Sequence, residues 1–278
     1  MPKFLQKIIW FLVLAVLLFW LYSRVVNTKA DVEGTRRSSA AGRLIERLLG
    51  RTSQPEPIIK AEEITIRIPE GWTNEDIAQY LAKTGNWSAA DFLAAAKGHE
   101  GYLFPDTYRV YASSTPDYIV QKMLDNFAAK VTPDMLAEIK KQKKDLADII
   151  IMASLVEKEA SIDNSQSEDR DARIVSGIFW NRLKIGQGLQ SDATLSYILK
   201  DNNPQHSGAD LQINSPYNTY KYRGLPPGPI ANPGLTAIRA AIYPLATDYY
   251  YFLTTPDKQI YYAKTYDGHL QNKYKYLP

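Results

Sequence analysis

The sequence predicts an α+β protein, and three observations carry that reading. Apolar residues recur at helical spacing through most of residues 116–199, a two-strand hairpin pattern lies near residues 249–262, and an alternating strand with two short helices precedes both. A polar stretch and a strongly apolar N-terminal segment come before this folded part.

Ile64, Ile66 and Ile68 alternate with Thr65 and Arg67, the pattern of a half-buried strand. Pro69-Glu70-Gly71 turns the chain, and Thr73 caps a helix carrying Ile77, Ala78, Tyr80 and Leu81. Ser88, with Asp91 three residues on, opens a second helix. Residues 62–97 thus form a small module, too small to be expected to stand alone. In the main domain, residues 98–278, helices are expected at Pro116 to Val131, Pro133 to Lys144 and Leu146 to Ala160. The last has an apolar face of Ile149, Ile150, Met152, Ala153 and Val156. After a polar loop, Asp171 to Lys184 is helical with Ile174, Ile178 and Leu183 inward, and Asp192 to Leu199 is a shorter helix. Residues 202–233 are irregular and dense in Pro, Gly, Asn and Tyr. A helix from Leu235 to Tyr243 leads to a strand at Tyr249 to Leu253, and Thr255-Pro256-Asp257-Lys258 turns into Ile260 to Tyr262.

The chain has 278 residues, 45% hydrophobic and 12% aromatic, enough to bury a core. A formal charge of +3 gives no sign of a nucleic-acid groove. The absence of cysteine excludes disulfides, thiolate nucleophiles and Cys-based metal sites, and the scattered His99, His206 and His269 form no metalloprotease signature. No cofactor or metal is therefore expected. Ile8 to Tyr22 is an unbroken apolar and aromatic run, extended by Phe4, Val25 and Val26 towards the length that spans a bilayer. Trp10, Trp20 and Tyr22 suit the membrane interface, and bulky Trp20-Leu21-Tyr22 is a poor cleavage site. Residues 1–23 are therefore expected to be a cytoplasmic tip and a retained transmembrane signal anchor, and residues 24–61 a linker. Basic residues flank the run on both sides, so charge alone leaves the orientation open.

The sharpest chemical feature is Ala153-Ser154-Leu155-Val156-Glu157-Lys158-Glu159, an apolar helix ending in two acids. Carboxylates two residues apart point about 200° apart on a helix, so only one of them can face a given cleft. Glu159 shares a face with Met152 and Val156 and is the one expected to be held against the domain. Partial burial would raise its pKa, as a general acid near neutrality requires. Glu157 is then expected to be solvated or ion-paired. The loop Ser215-Pro216-Tyr217-Asn218-Thr219-Tyr220 leads into Gly224-Leu225-Pro226-Pro227-Gly228-Pro229-Ile230. It offers aromatic faces and amide groups on a stiff backbone, suited to a sugar-binding wall or simply to a rigid structural loop. Asn181-Arg182-Leu183 and Leu189-Gln190-Ser191-Asp192-Ala193-Thr194 add polar candidates. Gln190 is favoured as a ligand contact, and Asp192 reads as a helix cap.

Five stretches together closely resemble the YceG-like endolytic murein transglycosylase family: Glu100 to Tyr108, Ala153 to Ala160, Phe179 to Thr194, Ser215 to Gly234 and Tyr250 to Thr255. They follow the family's order and span about 180 residues. The resemblance implies a membrane-anchored enzyme that cleaves the MurNAc-β-1,4-GlcNAc bond of nascent glycan strands and leaves 1,6-anhydroMurNAc ends. It implies Glu159 as acid and then base, with Gln190, Asp192, Thr194, Tyr217, Asn218, Thr219, Tyr220 and Asn181 around the glycan. It implies an N-terminus in the cytoplasm, a single membrane pass and an extracytoplasmic catalytic domain in the bacterial cell membrane. A peptidoglycan synthase is the candidate partner. The resemblance also makes residues 62–97 a shortened LysM-like module. One departure lies in the terminal hairpin, where the family's Gly-His-Thr-Phe segment is missing and only His269 remains nearby. Two other readings stand beside this one: a glycan-binding scaffold without activity, and a hydrolytic muramidase using a second carboxylate among Asp163, Glu168, Asp169 and Asp192.

Overall fold

The computed structural model describes residues 62–160, 166–201, 206–257 and 259–277. The expected anchor (1–23) and the expected linker (24–61) lie outside the described residues. Among the described residues, no helix is long and apolar enough to cross a membrane.

The first element is strand β1 (Glu63–Arg67), followed by helices α1 (Asn74–Lys83) and α2 (Ala89–Ala95). The Thr73 side chain accepts the Asp76 N–H, while Asp76 accepts the Thr73 N–H at 2.9 Å, a reciprocal cap that fixes where α1 begins. A second strand, β2 (Thr107–Tyr111), pairs antiparallel with β1 in a register that sets Ile66 opposite Tyr108. Sequence reading missed this strand. Its inward residues Tyr108 and Val110 alternate with exposed Thr107, Arg109 and Tyr111, which is the strand signal itself. The resulting βααβ unit is completed by α3 (Pro116–Lys130): Ile66, Ile77, Leu81, Phe92, Leu103, Tyr108, Ile119 and Met123 share one apolar cluster. That core draws on residues well beyond 97.

A second cluster surrounds α5 (Leu146–Glu159), which follows α4 (Pro133–Lys141). Every residue of α5 from Ile149 to Val156 is buried, so the helix is the central rod of the domain rather than an amphipathic surface helix. The one polar residue in that stretch, Ser154, is satisfied: it donates to the Ile151 carbonyl at 2.7 Å and accepts the Ile230 N–H at 3.1 Å. Packed on α5 are α6 (Gln166–Lys184), α7 (Asp192–Leu199) and α8 (Leu235–Ile242). The buried Ala237, Ala240 and Ala241 of α8 allow that helix a close approach to its neighbours. Strands β3 (Tyr251–Thr254) and β4 (Ile260–Ala263) form the expected hairpin, with Phe252 opposite Tyr262. A final helix, α9 (Tyr266–Tyr276), was not expected from the sequence. None of its residues is fully buried, so it has no apolar stripe to announce it, and Gly268 and its tyrosines weaken its propensity. The architecture is α+β, as the pattern predicts.

Candidate active site

Three pieces of backbone converge on the end of α5. The helix stops at Glu159, and Ala160 leaves helical geometry (ψ 89°). Facing it is the N-terminus of α7, where Ser191 rather than Asp192 holds the N-cap position, without a side-chain capping bond, and Asp192 is the first helical residue. Gln190, immediately before, sits at φ +49°, a left-handed backbone that redirects the chain into α7. The third piece is the 218–220 loop, stitched to this turn. Gln190 N–H donates to the Thr219 carbonyl at 3.2 Å, Ser191 N–H donates to Thr219 Oγ1 at 3.0 Å, and Thr194 Oγ1 lies 3.1 Å from Thr219 Oγ1.

Glu159 is received by this arrangement. The Ser191 hydroxyl donates to Glu159 Oε1 at 2.5 Å, and the Ala193 N–H also bonds the carboxyl. A carboxylate at a helix N-terminus is favoured by free N–H groups and the helix dipole. Burial nevertheless dominates and holds the Glu159 carboxyl above its ordinary pKa, helped by the charge of Asp192 and opposed by Ser191, Ala193 and Arg182. Arg182 is buried and pinned: Nε donates to the Tyr250 carbonyl at 2.6 Å and an Nη to the Leu189 carbonyl at 2.5 Å, with the guanidinium 5.4 Å from the Tyr251 ring. Tyr251 stacks in turn on His269 (ring centroids 5.6 Å apart), whose pKa is lowered by burial and by nearby Lys273 and Arg182. Tyr220 donates its hydroxyl to Asp192 Oδ1 at 2.7 Å. Burial, Asp192 and Glu159 together hold the phenol in its neutral form.

The expected site residues thus divide. Glu159, Asp192 and Tyr220 meet with their functional groups, and Thr194 and Thr219 lie fully buried behind them as struts. Gln190 contributes an exposed side chain at the rim. Asn218 is buried and spends its amide on the Leu211 and Ile213 carbonyls at 3.0 and 2.9 Å, shaping the loop. Asn181 donates to the Thr247 carbonyl at 2.8 Å, bracing the approach to β3. Tyr217 packs against Tyr197 (ring centroids 5.1 Å apart) and feels the charge of Glu100. Ser191, Ala193 and Arg182 lie in stretches noted in the sequence but were given no role there. Ser191 preceding an acidic helix start is a cap signal that could have been read. Arg182 gave none, because its partners are backbone carbonyls.

Glu157 is neither solvated nor, among the described ion pairs, salt-bridged. Its Oε2 accepts the Gly234 N–H at 3.0 Å, and burial, with Glu70 nearby, pushes its pKa up to about 7. Glu100 is likewise pushed up to about 7 by burial, although it accepts the Asn74 N–H at 3.1 Å. Neither group belongs to the Glu159 cluster. They sit where the βααβ unit meets the helical core.

The fold and site define an α+β protein whose candidate site presents a sheltered carboxyl acid, Glu159, at the end of a buried helix to the N-terminus of another. The YceG-like family model matches residues 33–275. The chain belongs to the YceG-like family. It is 38% identical over 178 residues to the endolytic murein transglycosylase of Bacillus subtilis, covering 64% of this chain and 48% of that protein. It is 30% identical over 291 aligned positions to the endolytic murein transglycosylase of Streptococcus pneumoniae, covering 90% of this chain and 51% of that one. The chain spans about half the length of these curated relatives. A crystal structure of a YceG-like protein from Listeria monocytogenes superposes with a TM-score of 0.66 at 30% identity, covering 83% of this chain and 80% of that one.

Proposed function

We propose that this chain is an endolytic lytic transglycosylase of peptidoglycan with Glu159 as its acid and base. The observation that carries the reading is the setting of Glu159: a carboxyl whose pKa is raised by burial, yet hydrogen-bonded so that its anion can be tolerated when it forms. In the reaction, Glu159 protonates the oxygen leaving C1 of MurNAc as the C1–O bond breaks. The muramic 6-hydroxyl attacks the same carbon, and Glu159 takes its proton as the 1,6-anhydro ring closes. The attacking hydroxyl belongs to the substrate, so the second carboxylate of ordinary glycosidases is not required. On this reading Tyr220 and Gln190 are the side chains that meet the sugar, and Arg182 supplies fixed positive charge next to the carboxylate that develops.

One observation favours the hydrolytic alternative: Asp192 is a second carboxylate close to Glu159. Its engagement with the Tyr220 hydroxyl speaks against use as a base towards water. Mass spectrometry of the products separates the two, since lytic cleavage leaves anhydromuramic ends and hydrolysis leaves reducing ends. A scaffold without activity would leave neither.

The proposal extends to the whole chain. Residues 1–23 anchor it with the N-terminus in the cytoplasm, residues 24–61 link the anchor to an extracytoplasmic catalytic domain, and a peptidoglycan synthase is the expected partner. Residues 62–97 are read as a shortened LysM-like module, and β2 at Thr107–Tyr111, paired with β1, extends the unit they open. Protease protection of the N-terminal tip in right-side-out membrane vesicles, with digestion of the remainder, is the outcome this topology requires.

A further inference from the structure

Residues 191–193 serve one acid in turn. Ser191 gives Glu159 its hydroxyl and Ala193 gives it a backbone N–H, while the Asp192 side chain between them accepts the Tyr220 hydroxyl at 2.7 Å. The backbone around Tyr220 is already fixed: its N–H donates to Asn218 Oδ1 at 3.0 Å, and Thr219 is bonded to Gln190, Ser191 and Thr194. What remains free is rotation of the phenol, and the bond to Asp192 removes it.

We propose that Asp192 is a positioning residue rather than a sugar ligand: its carboxylate holds the Tyr220 phenol beside Glu159, so that a glycan bond entering the site meets acid and phenol in one fixed arrangement. This deepens the reading of Glu159 as the acid and rests on it. The charge of Asp192 has a second effect, because a like charge beside Glu159 favours its protonated form. The other groups facing the cluster are Glu159 from α5, Arg182 from α6 and Tyr220 from the loop, with Tyr251 of β3 and His269 of α9 reaching it through Arg182.

The test is a double-mutant cycle on the full chain in detergent, with purified peptidoglycan as substrate and anhydromuramic ends counted by mass spectrometry. Tyr220→Phe and Asp192→Ala should each lower kcat by about 10- to 100-fold with KM within about threefold, and the double variant should be no slower than the worse single one. Asp192→Asn keeps an acceptor oxygen, so kcat should stay within about fivefold while the falling basic limb of the pH profile moves to lower pH. Multiplying losses in the double variant would overturn the proposal, as would a raised KM at unchanged kcat in either Asp192 variant. If Asp192→Ala fails to fold, Asp192→Asn decides on its KM and pH profile. A Glu159→Gln variant run alongside separates the two levels: anhydro ends made without that carboxyl would refute the underlying reading, whatever Asp192 does.

Discussion

Glu159 behaves as it does because burial and hydrogen bonding pull in opposite directions, and burial prevails. Burial makes loss of the Glu159 proton more costly than for a solvated carboxyl, and Ser191 and Ala193 limit that cost once the proton has gone. Replacing Glu159 by Gln should lower kcat by at least about 100-fold, since general acid–base assistance is typically worth two to four powers of ten. The variant should melt no lower than the native chain, because a desolvated acid gives way to a neutral amide of the same shape. The spacing of Glu157 and Glu159 and the apolar run before them made the burial of Glu159 legible in the sequence. The fate of Glu157 was not, because its partner, the Gly234 N–H, lies 77 residues away in the chain. The hydrogen bonds of Asn218 and Asn181 were hidden for a related reason. An exposed amide and a buried one look alike in sequence, and both of these are occupied by backbone carbonyls.

At the scale of elements, α5 depends on close approaches that no side chain could share. Gly101 has φ +85°, and a Cβ there would lie 2.5 Å from Pro229 Cγ and 2.8 Å from Ile150 Cγ2, so Gly101→Ala combines backbone strain with overpacking. It should cost about 2–4 kcal/mol, measured by urea denaturation. The helices were readable from apolar periodicity and Pro or Ser/Thr starts, and four of them begin at a capping Thr or Ser. Strand β2 and helix α9 escaped notice for opposite reasons: β2 has a pattern that its aromatics disguised as generic core, and α9 has almost no pattern at all.

Across the whole molecule, the βααβ unit and the helical core are joined through Asn232. Its backbone N–H donates to the Trp72 carbonyl at 2.8 Å, its carbonyl accepts the Gly71 N–H at 2.9 Å, and its side chain binds the Trp72 carbonyl, Asn74 Oδ1 and the Leu103 N–H. Asn232→Ala strands several buried groups and should cost about 2–4 kcal/mol, with faster hydrogen exchange in β1 and β2 than in α5. Glu100 and Glu157 lie at the same joint, each with its pKa pushed up to about 7 from 4.5. The folded state therefore binds these protons more tightly than the unfolded chain. Their contribution is fully present below about pH 4.5 and is lost as pH rises through about 7. Each group can account for at most about 3 kcal/mol, so melting temperature should fall between pH 5 and 8, and Glu100→Gln or Glu157→Gln should flatten that fall. The most direct test of the account remains chemical: mass spectrometry of peptidoglycan treated with the full chain and with its Glu159→Gln variant. The account predicts anhydromuramic ends from the native chain and none from the variant. Reducing ends from the native chain, or anhydro ends from the variant, would contradict it.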